Sequence, residues 1–236
     1  MLPSVATPKF VTQLPSTGQN ISYRPFLVKE EKILLMALEG GDQKEIMNAV
    51  LEVVSNCLES DLDANDITTF DLEFLFLQLR GKSVGEVVEL RVGHTDSECT
   101  HRQRVNINLD DVKVEGVVSE GKIMITDEIG IKLRYPNITD MDKINNALTN
   151  EDTASSFDVV AMCVEYIYDT ENVYNEFTNK EINDWLEGLG QQQFAKIAQF
   201  FQNVPALRHE IKYTCDKCGE VERIKLEGLE SFFTLL

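Results

Sequence analysis

Positive charge is scarce in this sequence. Lysine and arginine together number 22, against 40 aspartate and glutamate residues, so the formal net charge is −18 at neutral pH. A surface of this sign repels phosphate backbones and anionic membranes. The composition therefore argues against nucleic acid as the main ligand and favours a basic protein partner. Because the acidic residues are spread along the chain rather than collected in a tail, they also fit an ordinary solvated surface.

Signals for membranes and secretion are missing as well. Residues 1–10, MLPSVATPKF, lack the basic start and the apolar run of a secretory signal peptide. No apolar stretch reaches the roughly 18 residues that a membrane-spanning helix needs. Five cysteines in 236 residues, without a secretion signal, indicate reduced thiols in the cytosol. We therefore expect a soluble protein that is not secreted.

The common catalytic motifs are also missing. The sequence has no GxxxxGKS/T or GxGxxG phosphate-binding loop, no GxSxG nucleophile turn and no HExxH metal motif. Three histidines and five cysteines offer few pairs of nucleophile and base. Acidic pairs such as Glu30-Glu31 are more simply solvated faces than a catalytic dyad. We therefore expect no enzymatic activity, and a hydrolase built on two carboxylates is the least favoured alternative.

Among the features that are present, the apolar pattern changes period along the chain and indicates an α+β fold. Four of the six prolines lie in residues 1–27, which we expect to form an extended arm. Helical spacing follows in residues 28–82, and alternation over residues 83–136 predicts a central antiparallel sheet of four to six strands. Helical spacing returns in residues 137–205. Residues 206–236 predict a hairpin with an apolar tail, packed with the β region.

Caps and apolar faces set the expected helices. Asp42 is expected to cap the second helix, and Thr178 opens a capping box with Glu181. A third helix over about 68–80 is apolar on nearly all sides and should be buried. Three further helices are expected over 137–149, 153–169 and 191–203.

The sharpest local signal is Cys215-x-x-Cys218-Gly219, at the tip of the last predicted hairpin. Two thiolates at this spacing on a tight turn point at one tetrahedral metal ion, and the glycine permits the turn. The pattern is typical of a zinc knuckle, and zinc needs two further ligands. A redox-active pair is less favoured, because such a motif opens a helix, whereas strand-like residues follow here.

The missing ligands are expected from residues 94–101, HTDSECTH, which lie between two predicted strands. Cys99 with His101 would complete the site, and His94 is the alternative to His101. Both halves of the site would then occupy hairpin tips, as the two halves of a zinc ribbon do. The competing interpretation is a metal-free hairpin whose cysteines are surface thiols.

Several segments taken together resemble a known family. They span residues 14–233, nearly the whole chain, and the block around Arg24-Pro25-Phe26 is the most specific part. The segments are Leu14–Gly18, Tyr23–Lys32, Phe70–Arg80, Ser83–Glu86 and Tyr213–Phe233, the last with its CxxC-Gly, Gly228-Leu229 and Phe232-Phe233. This set resembles the baseplate protein family of T-even-like contractile-tailed bacteriophages.

The resemblance implies a role in building the central hub of the viral tail baseplate through protein–protein contacts, without catalysis. It implies other baseplate hub and tail proteins as partners, a place in the host cytoplasm during assembly, and a place in the virion tail. Partner-binding residues are expected in the arm, at Arg24, Pro25 and Phe26, and in the apolar tail, at Phe232 and Phe233. The alternative function is a zinc-ribbon adaptor that binds cellular or transcription machinery.

Overall fold

The computed structural model describes residues 5–94, 99–140, 144 and 153–228. Its helices are α1 (Val28–Gly40), α2 (Gln43–Cys57), α3 (Thr69–Val84), α4 (Thr153–Met162), α5 (Asn179–Glu187) and α6 (Gln191–Gln202). Its strands are β1 (Phe10–Gln13), β2 (Asn20–Tyr23), β3 (Val87–Gly93), β4 (Arg102–Asn108), β5 (Lys113–Glu115), β6 (Lys122–Met124), β7 (Gly130–Leu133), β8 (Val164–Tyr168), β9 (Val173–Tyr174), β10 (Ala206–Thr214) and β11 (Val221–Glu227). Helices with several antiparallel sheets confirm the expected α+β class. None of the described helices is both long and apolar enough to span a membrane.

The chain divides into two compact units. Unit 1 takes its described residues from Met1–Ala64, Phe70–Glu115 and Ala206–Leu236, and unit 2 takes them from Asn65–Thr69 and Gly116–Pro205. Parts of the sequence that lie far apart therefore build unit 1. The region that was expected to form one central sheet contributes strands to both units.

The N-terminal arm is an antiparallel hairpin of unit 1. β1 pairs with β2, with Phe10 opposite Tyr23. The turn between them is closed by the N–H of Gly18, which donates to the carbonyl of Leu14 at 2.8 Å. Leu14, Ile21 and Tyr23 are buried. Because these side chains pack inside unit 1, the arm docks on the chain's own fold.

Two of the expected helix features of unit 1 are confirmed. The carboxylate of Asp42 caps α2 by accepting the N–H of Lys44 at 2.8 Å and the N–H of Glu45 at 3.1 Å. Helix α3 is buried on nearly all sides, as its apolar pattern predicted. The apolar α3 side chains with only 1% exposure are Phe70, Leu72, Leu75 and Phe76, with Leu79.

The strands of unit 1 form three small antiparallel sheets. β1 pairs with β2, β3 pairs with β4, and β10 lies between β11 and β5. The last two sheets share an apolar core made of Leu77, Val88, Ile107, Leu109, Val112, Leu207, Ile211 and Leu226. Instead of joining one sheet, the strands of residues 83–136 divide among three, because β5 pairs with the distant β10, and β7, the partner of β6, pairs with β8. Alternation along a strand predicts its faces but not its neighbours.

Unit 2 is a four-stranded antiparallel sheet in the order β6-β7-β8-β9, packed with helices. Side chains from the sheet and from α4, α5 and α6 form its core. The buried core residues are Ile125, Ile131, Leu133, Val160, Ala161, Val164, Ile167, Ile182, Leu186, Ile197 and Phe200. The expected capping box at the start of α5 is confirmed, since the N–H of Thr178 donates to Glu181 Oε2 at 2.7 Å and the N–H of Glu181 donates to Thr178 Oγ1 at 3.2 Å.

The helix expected over 153–169 is wrong beyond Met162. The N–H of Cys163 donates to the carbonyl of Val160 at 3.0 Å, and the chain then enters β8, which pairs with β7. Val164–Tyr168 reads VEYIY, which is rich in β-branched and aromatic residues that favour a strand. Valine and isoleucine suit an apolar helix face as well, so spacing alone misassigned this stretch.

The helix expected over 137–149 falls mostly outside the described residues. Ile138–Asp140 form one turn of 3₁₀-helix, and residue 144 is helical. The last expected helix, over 191–203, is confirmed as α6.

Candidate metal centre

The tip of the β10–β11 hairpin is a tight turn that carries Cys215 and Cys218. The N–H of Cys215 donates to the carbonyl of Glu220 at 2.8 Å, and the N–H of Gly219 donates to the carbonyl of Cys215 at 2.9 Å. Gly219 has a φ of 76°, in the left-handed region where side chains are disfavoured. The glycine after the second cysteine is therefore required by this turn, as the sequence predicted for a zinc knuckle.

The Gly93–Arg102 end of the β3–β4 hairpin lies beside this turn and supplies two more candidate ligands. The ladder between β3 and β4 ends with Gly93 opposite Arg102. His94 follows β3 directly, and Cys99 precedes β4. Cys99 Sγ lies 4.0 Å from Cys215 Sγ across the two hairpins.

Four potential metal ligands converge here, and each belongs to one of the two hairpin ends. The ligand atoms of His94, Cys99, Cys215 and Cys218 all lie within 4.8 Å of one another. His94 Nε2 is 3.3 Å from Cys218 Sγ. Zinc bonds of about 2.3 Å to sulfur and about 2.0 Å to nitrogen, at tetrahedral angles, place two sulfurs about 3.8 Å apart and a sulfur and a nitrogen about 3.5 Å apart. The group has the size and the ligands to hold a tetrahedral metal ion.

Hydrogen bonds favour the thiolate form of Cys215, one of the four candidate ligands. The side chain of His94 is fully buried, and Cys215 is 2% exposed, whereas Cys218 is exposed. The N–H of Cys218 donates to the sulfur of Cys215 and, with the His94 ring and the N–H of Lys217, lowers the pKa of the Cys215 thiol to about 6. Thiolates are the form of cysteine that binds metals. The turn thus favours the ligand form of Cys215.

Hydrogen bonds to Cys215 and to the Glu222 carboxylate raise the pKa of His94 to about 9. Glu222 Oε1 lies 2.7 Å from His94 Nδ1. Without a metal ion these contacts favour an imidazolium beside a thiolate. A bound metal ion would take the place of the proton on Nε2, since a ligating histidine is neutral.

The sequence left the choice of histidine open, and the structure brings one of the two into the group. His94, the alternative ligand, lies with the three cysteines, whereas His101, the first choice, is not part of the group. Both histidines flank the same loop. Residue spacing alone does not specify which of the two meets the cysteines.

Gln103 is a residue of this centre that sequence reasoning missed. Its Nε2 donates to the carbonyl of Thr214 at 2.9 Å, and its Oε1 accepts the N–H of Asp216 at 2.8 Å. One side chain therefore joins β4 to the turn that carries Cys215. A glutamine in a strand is unremarkable in sequence, and only the placement of the two hairpins reveals its role.

The structure places the expected partner-binding residues of the arm inside unit 1. Arg24 Nη2 donates to Glu30 Oε1 at 3.0 Å and to the carbonyl of Asn56 at 2.9 Å. Pro25 is buried, and Phe26 is only 7% exposed. These contacts fix the arm to the first helices. Phe232 and Phe233 lie outside the described residues.

Residues 7–234 match a protein-family model described as T4 bacteriophage base plate protein. The chain belongs to this family. The T4 bacteriophage base plate protein match spans nearly the whole chain, so it includes both units and all four residues of the metal group, and it confirms the family expected from the sequence. It supports a structural role in a phage baseplate. No curated protein and no solved structure matches the chain.

Proposed function

We propose that this baseplate protein builds or completes the central hub of the tail baseplate through contacts with other hub and tail proteins, without catalysis. The family match over residues 7–234 is the observation that carries the proposal. Such a protein works in the host cytoplasm during assembly and can remain in the virion tail. Its net charge of −18 suits partners with basic surfaces.

Two carboxylates that line a pocket in unit 2 are unsuited to act as general acids. Its volume is about 370 Å³, and Asp169 and Glu181 are among its lining residues. Backbone N–H groups lower the pKa of both carboxylates, led by the N–H of Glu171 for Asp169 and the N–H of Thr178 for Glu181. A general acid needs a raised pKa. Both side chains serve instead to close a turn and to cap a helix.

The outward face of α1 is the contact surface that we propose for the hub. Val28, Leu35 and Met36 are 80%, 48% and 62% exposed. Positions i, i+7 and i+8 fall on one side of a helix. Leu34 and Ala37, on the opposite side, are buried in unit 1. A partner with an apolar patch would cover this face.

We also propose Zn²⁺ as the ion of the metal group. Three cysteines and one histidine are a usual ligand set of structural zinc, with four protein ligands and no open position for substrate. The ion would join the Gly93–Arg102 end of β3–β4 to the turn of β10–β11. It would thus fix two hairpins of unit 1 relative to each other.

Affinity purification of the tagged chain from infected cells tests the contact proposal. Known baseplate proteins should co-purify with the wild-type chain, and the double variant Leu35→Glu and Met36→Glu should lose them. Val173→Glu, which adds charge at a 61% exposed valine of unit 2, is the matched control and should retain them. Retention of all baseplate proteins by the α1 variant would reject this contact surface.

The same purification tests the broader proposal. A wild-type chain that recovers polymerase subunits and no tail proteins would reject the hub role and favour the zinc-ribbon adaptor. Substitution of Arg24, Pro25 and Phe26 is less informative, since these residues stabilise unit 1 and their loss would mix unfolding with lost binding.

A further inference from the structure

The two ring nitrogens of His94 have different surroundings. Nδ1 lies 2.7 Å from Glu222 Oε1, and Nε2 lies 3.3 Å from Cys218 Sγ. The first contact points away from the cysteines, and the second points into them. The imidazole therefore bridges a carboxylate and the metal group.

A neutral imidazole has one N–H donor and one lone pair, and its neighbours decide which nitrogen carries which. An ionised glutamate only accepts hydrogen bonds. Nδ1 must therefore donate to Glu222, and the lone pair is left on Nε2, which faces the sulfurs. A hydrogen bond from a ligating histidine to a carboxylate fixes the ring orientation and increases the basicity of the ligating nitrogen.

Glu222 is held more firmly than the other carboxylate nearby. It lies in β11, opposite Tyr213 of β10, and its side chain is 28% exposed. Glu220 lies in the turn, with its side chain 59% exposed and Oε2 3.9 Å from His94 Nδ1. The two glutamates are two residues apart and differ in distance, exposure and backbone support.

We infer that Glu222 is the positioning residue of the metal site. Its carboxylate holds His94 with Nε2 towards the ion. This inference rests on the proposed zinc site and adds a residue outside the four ligands. It also gives the β11 strand a part in metal binding that the CxxC turn alone does not require. Glu222 touches no metal itself and acts through His94.

Zinc affinity, measured by competition with a chromophoric chelator, tests the inference in the full-length chain. Glu222→Ala should weaken zinc binding roughly 10- to 100-fold, the usual effect of losing such a partner. Glu222→Gln keeps an oxygen acceptor without the charge and should show a smaller loss. Glu220→Ala is the matched control and should bind zinc like the wild type. Circular dichroism of the zinc-loaded variants checks that each is folded.

Nuclear magnetic resonance of the ¹⁵N-labelled imidazole supplies a readout that a merely structural role would not change. In the zinc-loaded wild type, Nδ1 of His94 should carry a proton that exchanges slowly with water, and Glu222→Ala should accelerate this exchange. Glu220→Ala should leave it unchanged. A proton on Nε2 in the wild type would overturn the inference.

The outcomes separate this inference from the proposals on which it rests. Equal zinc affinities for Glu222→Ala and Glu220→Ala would overturn the role of Glu222 and leave the zinc site standing. A wild-type chain that binds no zinc would overturn both, and the hub role would still be tested by co-purification. Cobalt in place of zinc should show thiolate charge-transfer bands. Their absence would favour the second group of nearby ligands, His94 with Glu220 and Glu222, and reject the inference.

Discussion

Unit 1 and unit 2 hold their strands together in different ways. In unit 2, four consecutive strands share one sheet, and three helices pack apolar side chains against it. In unit 1, the described strands form separate sheets of two, three and two strands. An apolar core joins two of these sheets, and side chains at the hairpin ends add a second connection.

At the hairpin ends of unit 1, side-chain links replace backbone pairing. Burial of apolar faces holds sheets together only as far as the core extends. The turn at Cys215 lies at the end of its hairpin, and the ladder of β3 stops at Gly93. Gln103, the pair of His94 and Glu222, and the metal group connect the hairpin ends. Both metal-ligand groups found among the described residues belong to unit 1.

Loss of a metal ligand should have the largest effect, and it should loosen unit 1 without loosening unit 2. Cys215→Ser removes one of four ligands and should abolish stoichiometric zinc binding, because a closed structural site needs all four. Amide hydrogen exchange should then accelerate around residues 99–104 and 213–222, while β7 and β8 keep their protection. Cys163→Ala, which removes a buried thiol of unit 2, is the control and should retain zinc. Equally faster amide exchange in both units would contradict the expectation that the metal site stabilises unit 1 alone.

A core truncation in unit 2 should lower stability in a way that does not depend on zinc. Ile131 is fully buried in the β7 strand, and Ile131→Ala should lower the free energy of unfolding by about 2–5 kcal/mol. Because no ligand of the metal group lies in unit 2, the loss should be the same with and without a zinc chelator. Met124→Ala, at a 45% exposed position of β6, is the control with a small expected effect. Denaturant unfolding followed in both conditions measures the difference.

Removal of the Gln103 side chain should weaken unit 1 moderately. Gln103→Ala loses two hydrogen bonds between the hairpins, which together contribute about 1–3 kcal/mol. Zinc should also dissociate faster, since the turn of Cys215 is less well held. Asn106→Ala, an exposed position of the same strand, should change neither property. Identical zinc dissociation rates for the two variants would show that Gln103 does not support the site.

The helix caps should give the smallest effects and no difference between the units. Asp42→Ala in unit 1 and Thr178→Ala in unit 2 each remove a side-chain acceptor of backbone N–H groups. Each should lower the free energy of unfolding by about 1 kcal/mol. If the stability lost in Thr178→Ala depended on zinc, the stability of unit 2 would not be independent of the metal site in unit 1.

Local features were predictable from the sequence because a few neighbouring residues determine them. The cap at Asp42, the capping box at Thr178 and the tight turn at Gly219 follow from short-range hydrogen bonds and backbone freedom. The burial of α3 follows from its apolar composition. The closeness of Cys215 and Cys218 follows from the tight turn that joins them.

The meeting of residues 94–101 with the CxxC turn was predicted from the chemistry of their side chains, but other features that depend on distant parts of the chain were not predictable. The pairing of β5 with β10 joins residues about ninety positions apart, and the choice of His94 over His101 depends on how the two hairpin ends lie. Val164–Tyr168 carries residues that fit both a helix face and a strand, and its pairing with β7 decides the outcome. The role of Gln103 depends on the same long-range placement.

Quantitative mass spectrometry of purified virions, beside tail intermediates from the same lysate, tests the baseplate role most directly. We expect the chain in at least one of the two samples, at a fixed ratio to known baseplate proteins. A fixed copy number in virions would identify a structural hub component, and presence only in intermediates would identify an assembly protein. Absence from both samples would rule out a role in the baseplate.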